Sequence, residues 1–384
     1  MMSAPFYDVN LSYEDNYERG PFGDFAHIDA HSEEQAEGSE IHPTFNFFGY
    51  ALNSPFGIPA GPLLNEHFTT AALRSGFDIA TYKTVRSRAW GCNPFPNVLS
   101  VHPTTVDGTL TPDSPQTQEG LLADTDFGVP GKISISNSFG VPSQDPDVWQ
   151  PDMKKAIERA RERRGQFLLA SFQGSRTSDM SEEQYIADHV TTARLAVETG
   201  AKVLEMNTSC PNEGKGRLLC HNPELVGRIT EAVKNEIGDI PLIIKLAFMH
   251  DDDAVRIMME NTVLHQTVQG FSTINTISSK LVDAHGNQAL PGVGRETSGV
   301  CGAAIKPAGL EMVERVIRVQ HRLGINDSRF GVIGVGGVTS VTDYKQYRAL
   351  GAIAVMSATS AMWNAGLGTQ VRAAEHDMML EHIS

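Results

Sequence analysis

The chain is poor in cysteine, in positive charge and in long apolar runs, and each shortage closes off a class of function. Cys92, Cys210, Cys220 and Cys301 are the only 4 cysteines in 384 residues, too few and too scattered for a disulfide scaffold. None forms a C-x-x-C pair or stands beside a spaced histidine, so no zinc or iron–sulfur site is expected and no metal ligand is assigned. Only 31 Lys and Arg face 46 Asp and Glu, leaving a formal charge of −15 and a sequence pI near 5.3. A surface that acidic repels phosphate backbones and anionic lipid, so neither nucleic acid nor a membrane is an expected partner. No apolar run approaches the ~20 residues of a membrane span. The opening stretch "MMSAPFYDVNLSYEDNYERGPFGDF" lacks the basic-then-apolar pattern of a secretion signal. A cytoplasmic protein is the expectation. Also missing is a G-x-G-x-x-G strand-to-helix turn, the mark of a doubly wound dinucleotide fold.

What is present is a patterned chain, 40% hydrophobic, with 35 glycines and 20 prolines. Residues 1–45 are acidic and without apolar periodicity, and read as an extension, partly disordered unless docked on a partner. From 46 to 384, short runs rich in apolar and β-branched residues recur at 55–60, 78–84, 167–172, 203–209, 241–247, 271–277, 330–337 and 352–358. Their hydrophobicity is continuous rather than alternating, as in parallel strands buried on both faces. Helical patterns lie between them. Ser181 and Gln184 have capping-box spacing, with Ile186, Val190, Ala193 and Val197 at helical intervals. Asn222–Pro223 opens another helix, with Leu225, Ile229, Val233 and Ile237 on one face and Gly238 as its stop. Eight strand–helix units predict an α/β fold, a (β/α)8 TIM barrel. Residues 85–166 form a long insertion after the second strand, carrying a ninth strand "KISISN" (132–137) and a helix "PDMKKAIERARERRG". Such an insertion belongs on the C-terminal face, where barrels carry their function.

If the barrel is right, polar residues at the strand ends should converge on one mouth. They make a coherent set: Lys83 and Thr84, then Asn137 from the insertion, Asn207 to Cys210, Lys245, Asn275 and Thr276. Lysines inside "ATYKT" and "LIIKLA" would be buried, and a buried ammonium implies an anionic or strongly polar partner. Asparagines around a rim suit a planar ligand with both donors and acceptors. "GVGGVTS" (334–340) and "SATSAMW" (357–363) follow the last two strands, where barrels bind phosphate, and "SGVCGAAIKP" (298–307) could close over the same ligand. A phosphorylated cofactor facing a planar polar substrate is the picture, and flavin mononucleotide (FMN) meets it, with a lysine such as Lys245 stabilising negative charge on the reduced ring. The thiol of Cys210 remains either small core packing or a reactive group.

"MNTSCPNEGKG" resembles the cysteine signature of soluble class 1 dihydroorotate dehydrogenases. "PFGIPAG", "TYKTV", "SNSFGVP", "IIKLA", "INTIS", "GVCGAAIKPAGL" and "GVIGVGGVTS" are similar to the same family's motifs, in the same order, across about residues 50–365. The resemblance implies FMN-dependent oxidation of dihydroorotate to orotate in pyrimidine biosynthesis. Cys210 would remove the C5 proton while C6 gives hydride to flavin N5, with Ser209 shielding the thiol. Lys83, Asn137, Gly140, Asn207, Asn212, Asn275 and Thr276 would hold the substrate. Ala60, Gly61, Thr84, Lys245, Gly302, Gly336, Gly337, Ala358 and Thr359 would hold FMN. A homo-oligomer, a dimer, is expected; the electron acceptor is left open among fumarate, a quinone and NAD. Ser143 stands where the family has a second asparagine, and Thr276 where it often has serine. "NTISSKLVDAHG" and "CHNPELV" also look like the flavin domain of dihydropyrimidine dehydrogenase, so a reductase of uncharged pyrimidines is the alternative. A flavin-free barrel with a Schiff-base lysine and a non-catalytic scaffold are the remaining readings.

Overall fold

β-Branched and apolar residues with no polar alternation have no solvent face to offer, so each such run pairs on both sides and is covered on both faces. Eight of them close into one all-parallel barrel: β1 Phe56–Ile58, β2 Ile79–Val85, β3 Phe167–Phe172, β4 Leu204–Asn207, β5 Leu242–Leu246, β6 Gly270–Thr273, β7 Gly331–Val335 and β8 Ala354–Met356. The structure is a computed structural model that describes residues 4–27, 44–209 and 218–383. Every residue of β2 and β3 is buried. The (β/α)8 barrel expected from the sequence is the fold of this chain, each strand falling inside or beside its expected run.

The N-terminal end of the barrel is stoppered. Strands Phe45–Phe47 and Tyr50–Leu52 form an antiparallel hairpin. Phe47 and Leu52 join Ile79, Phe167, Leu169, Val203 and Ile243 in one buried cluster. At the base of β6, a Cβ on Gly270 would come within 2.6 Å of the Phe48 ring, so glycine there lets the hairpin seat. With that end closed, access is from the opposite, C-terminal rim.

The helix Glu182–Glu198 begins with the expected capping box. Its buried face, however, is Tyr185, Asp188, His189, Thr192, Ala193 and Ala196, whereas Ile186, Val190 and Val197 are only half-buried. The face is rotated because its polar members find partners: Thr192 Oγ1 bonds the Asp188 carbonyl oxygen at 2.8 Å, and Asp188 accepts from Ser87 Oγ at 2.7 Å. The helix Pro223–Ile237 follows its expectation, with Asn222 as N-cap and Gly238 at φ +61°. The helix Pro146–Arg161, placed by sequence within the insertion, packs on β3 and on the flanking helices Glu66–Arg74 and Glu182–Glu198, in the outer ring between β2 and β3.

Two excursions from the barrel, after β2 and after β6, meet in a second closed sheet. Its strands are Ser100–His102, Leu121–Asp124, Ser134–Asn137, Ile277–Val282 and Thr297–Gly302. The expected ninth strand is therefore present, paired antiparallel with Thr297–Gly302. Residues 4–27 are not a loose arm but pack on their own barrel. Phe6 is fully buried between Phe25 and Phe68, with ring centroids at 4.4 and 6.1 Å, and its N–H donates to the Met362 carbonyl oxygen at 2.9 Å.

Candidate active site

A cavity at the C-terminal rim holds about 1210 Å³ of empty space, its open mouth included. Lys83, Thr84, Asn137, Asn207, Lys245, Asn275 and Thr276 line it. Ala60, Gly61, Gly302, Gly336, Gly337, Ala358 and Thr359 line it as well. Neighbours in a regular strand point to opposite faces, yet Lys83 and Thr84 both reach the cavity. The reason is a register slip between β2 and β3 at Tyr82–Val85, which breaks the alternation. Thr84 Oγ1 lies 2.9 Å from Ser171 Oγ, which fixes the top of β2 against β3.

The asparagines are held by one another's neighbours. The carboxamides of Asn207 and Gln173 meet at 2.6 Å. Asn207 Oδ1 accepts from both the N–H and the hydroxyl of Ser209 at 3.2 Å, and Asn275 Nδ2 donates to Ser209 Oγ at 2.8 Å. Ser209 is thus a buried link between the ends of β4 and β6, set behind the cavity wall rather than on it, while Asn207 ties β4 to the end of β3. Cys210 and Asn212 lie outside the described residues. Gly140 is also set back from the cavity; its φ of +78° and the Asn93 side chain, 2.9 Å from where a Cβ would stand, require glycine. Its neighbours Phe139 and Val141 line the wall instead. The hydroxyl of Ser143 accepts from the Arg86 N–H at 3.0 Å and likewise stays off the lining.

Lys245 lies deep in the barrel, its ammonium 3.2 Å from Ser272 Oγ. Burial lowers its pKa, and the nearby Glu205 carboxylate opposes that shift. Glu205 is 0% exposed, and neither of its oxygens has a hydrogen-bond partner among the described residues. The anionic neighbour implied by a buried lysine is therefore Glu205, which sequence reading passed over. An acidic residue inside the apolar run "VLEMN" was the available signal, because an unneeded charge there is costly. Also missed was Arg295, whose guanidinium donates to the carbonyl oxygens of Pro94, Pro96, Pro291 and Ser138 and to Ser138 Oγ. It clamps the segment beside Asn137.

The same cavity is lined by a glycine cradle. Gly302, Gly336 and Gly337 have φ of +104°, +132° and +64°. A Cβ on Gly302 would lie 2.4 Å from the Ile133 carbonyl oxygen, and one on Gly337 2.5 Å from Lys306 Cβ. Gly61, at φ +148°, would meet nothing within 4 Å, since it faces open space. The backbone can come close to a ligand at all these points. The cavity therefore brings polar side chains of the β2, β4 and β6 ends together with bare backbone at the β7 end.

The family model for dihydroorotate dehydrogenase matches residues 75–371. The chain belongs to the dihydroorotate dehydrogenase family. That makes it an oxidoreductase acting on a CH–CH bond. It is 33% identical over 371 residues to a dihydroorotate dehydrogenase of Dictyostelium discoideum, covering 94% of this chain and 95% of that one. It is 27% identical over 199 residues to the catalytic subunit of an NAD(+) dihydroorotate dehydrogenase B of Staphylococcus carnosus, covering 51% of this chain and 56% of that subunit. In fold it is similar to a dihydroorotate dehydrogenase of Eimeria tenella, crystallised with ferulenol, with a TM-score of 0.65 at 18% identity over 96% and 95% of the two chains. Among the described residues of this family member, no helix is long and apolar enough to cross a membrane.

Proposed function

We propose that this family member oxidises dihydroorotate to orotate with FMN held in the rim cavity. The observation that carries the reading is the shared lining: Lys83, Asn137, Asn207, Asn275 and Thr276 border the same space as the glycine cradle. The cradle fits the cofactor, because Gly302, Gly336 and Gly337 line the cavity with bare backbone whose left-handed conformations only glycine adopts without strain, as a phosphate site needs. Gly61, Thr84, Ala60, Ala358, Thr359 and Lys245 complete that side. When bound, FMN supplies the hydride acceptor. The Lys245 ammonium places positive charge in the cavity, available to a ring that gains electrons. The amides of Asn137, Asn207 and Asn275 offer donors and acceptors to a flat heterocycle, and Lys83 offers a cation to its carboxylate. Gly140 supports this wall from behind, and Asn212 is assigned to the substrate from the sequence signature alone.

Cys210 is the base in this reading, taking the C5 proton of the substrate as the C6 hydride leaves. Its support is the sequence signature and the fixed position of the preceding residue, Ser209, which is tied to Asn207 and Asn275. Replacing it is the first prediction. Cys210→Ala should retain its flavin, while reduction by dihydroorotate near neutral pH slows by ~10²–10⁴-fold. Stopped-flow absorbance would measure this, and an undiminished rate would remove the assignment. The reaction as a whole is tested by anaerobic titration of the purified, yellow protein. Bleaching by dihydroorotate supports the reading; bleaching by dihydrouracil alone would assign it to uncharged pyrimidines, and a colourless protein would end the flavin proposal. The reading includes a cytoplasmic setting, with Cys92, Cys220 and Cys301 as free thiols, and a homodimer, which sedimentation equilibrium would test.

A further inference from the structure

The cavity has one wall that comes from outside the barrel. Tyr7, in the N-terminal segment, lines it together with Phe139, Lys83 and Asn137. Tyr7 is 3% exposed, and its hydroxyl has no hydrogen-bond partner among the described residues. A buried hydroxyl left without a partner costs free energy that the fold would avoid by turning it outward or using phenylalanine. It is held where it is. Phe6, one residue before, is pinned by the Met362 carbonyl oxygen and by the rings of Phe25 and Phe68. The Tyr7 ring stands edge-on to Phe139, 5.5 Å between centroids at 90°, and Tyr13 from the helix Tyr13–Arg19 contacts the same phenylalanine at 6.5 Å. Burial, helped by nearby Cys92, raises the phenol's pKa, so it is a neutral donor throughout the working range. Tyr7 and Lys83 line the same cavity, and Cys92 is an electrostatic neighbour of both.

We infer that the N-terminal segment completes the substrate site, and that the Tyr7 hydroxyl donates a hydrogen bond to an oxygen of the pyrimidine substrate on its Lys83 side. Tyr7 is a substrate-binding and specificity residue, not a proton-transfer group. The inference deepens the proposed function and rests on that reading. Segment 4–27 thereby acquires a role beyond packing: loss of its anchor at Phe6 would loosen a substrate contact as well as the fold.

The test is Tyr7→Phe, which keeps the ring against Phe139 and removes only the oxygen. Orotate binding is read in the flavin-loaded proteins from the change in flavin absorbance on titration. The variant should bind orotate about tenfold more weakly, the loss expected for one buried hydrogen bond. Its flavin content and thermal midpoint should match the parent's. In turnover the KM for dihydroorotate should rise by a similar factor with kcat little changed. Phe139→Leu serves as the packing control; it should disturb the thermal midpoint more than Tyr7→Phe does. Equal orotate affinity in Tyr7→Phe and parent would overturn the inference. A parent that binds no orotate would instead overturn the functional reading beneath it, so the two failures are distinguishable.

Discussion

At the scale of single residues, the molecule concentrates its unusual groups near the cavity and just behind it. Glu205 and Lys245 are an acidic and a basic side chain inside the barrel, within electrostatic reach of each other, with Lys245 bonded to Ser272 and Glu205 to no partner among the described residues. Behind β3 lies His189, 0% exposed, with Nδ1 3.0 Å from the Tyr185 carbonyl oxygen and Nε2 without a partner among the described residues. Burial lowers its pKa to about 4 from 6.5, against the pull of Asp188 and with a contribution from Arg86. The unfolded chain therefore binds a proton that the folded chain refuses between those values. The stability due to neutral His189 is present in full above pH ~6.5 and falls by about 3 kcal/mol as the pH drops toward 4. Urea unfolding between pH 7.5 and 4.5 should show this slope flattened in His189→Gln, even if that variant starts less stable. An identical slope in both proteins would refute the assignment.

At the scale of elements, side-chain ties fasten the termini to the barrel. The C-terminal helix Leu367–Ile383 is fixed by Arg372, whose Nη2 lies 2.6 Å from Oδ1 of the fully buried Asp78. Burial raises the Asp78 pKa, opposed by Arg372 and by hydrogen bonds from Ser54 and Gln166. Arg372→Met leaves that carboxylate unpaired and should lower stability by about 3 kcal/mol, measurable by urea unfolding at neutral pH. Adding Asp78→Asn should recover much of the loss, since no charge then remains buried. The helix Glu182–Glu198 shows how far an element is legible in sequence. Its start was readable because a capping box is a local contact between residues three apart. Its inner face was not, because Asp188, His189 and Thr192 count as polar until their partners are known, Ser87 and the Ser175 N–H for Asp188 and carbonyl oxygens of the helix itself for the other two.

At the scale of the whole molecule, a net charge of −15 at pH 7 and a pI near 5.3 mean that the repulsion keeping molecules apart vanishes in mild acid. Light scattering should show minimal solubility near pH 5. That overlaps the range in which protonation of unfolded His189 erodes stability, so loss of activity there should coincide with loss of folded protein. A solubility minimum above pH 7 would show that the sequence charge misrepresents the surface. The architecture puts this acidic exterior around a cavity lined by two lysines, Lys83 and Lys245.

The sequence by itself determined the barrel, because continuous apolar runs of strand length must be covered on both faces and eight strand–helix units can close into one ring. It also named the residues at the strand ends that share the cavity, since in this fold every strand delivers its C-terminal end to the same rim. Tertiary structure alone decided what joins or supports them from elsewhere: Tyr7 from a segment read as an extension, Arg295 bracing the wall from a distant loop, and the retreat of Gly140 and Ser209 behind the wall. The physical reason is range. Periodicity and caps act between near neighbours in the chain, whereas burial of a single hydroxyl or carboxylate is settled by side chains tens to hundreds of residues away.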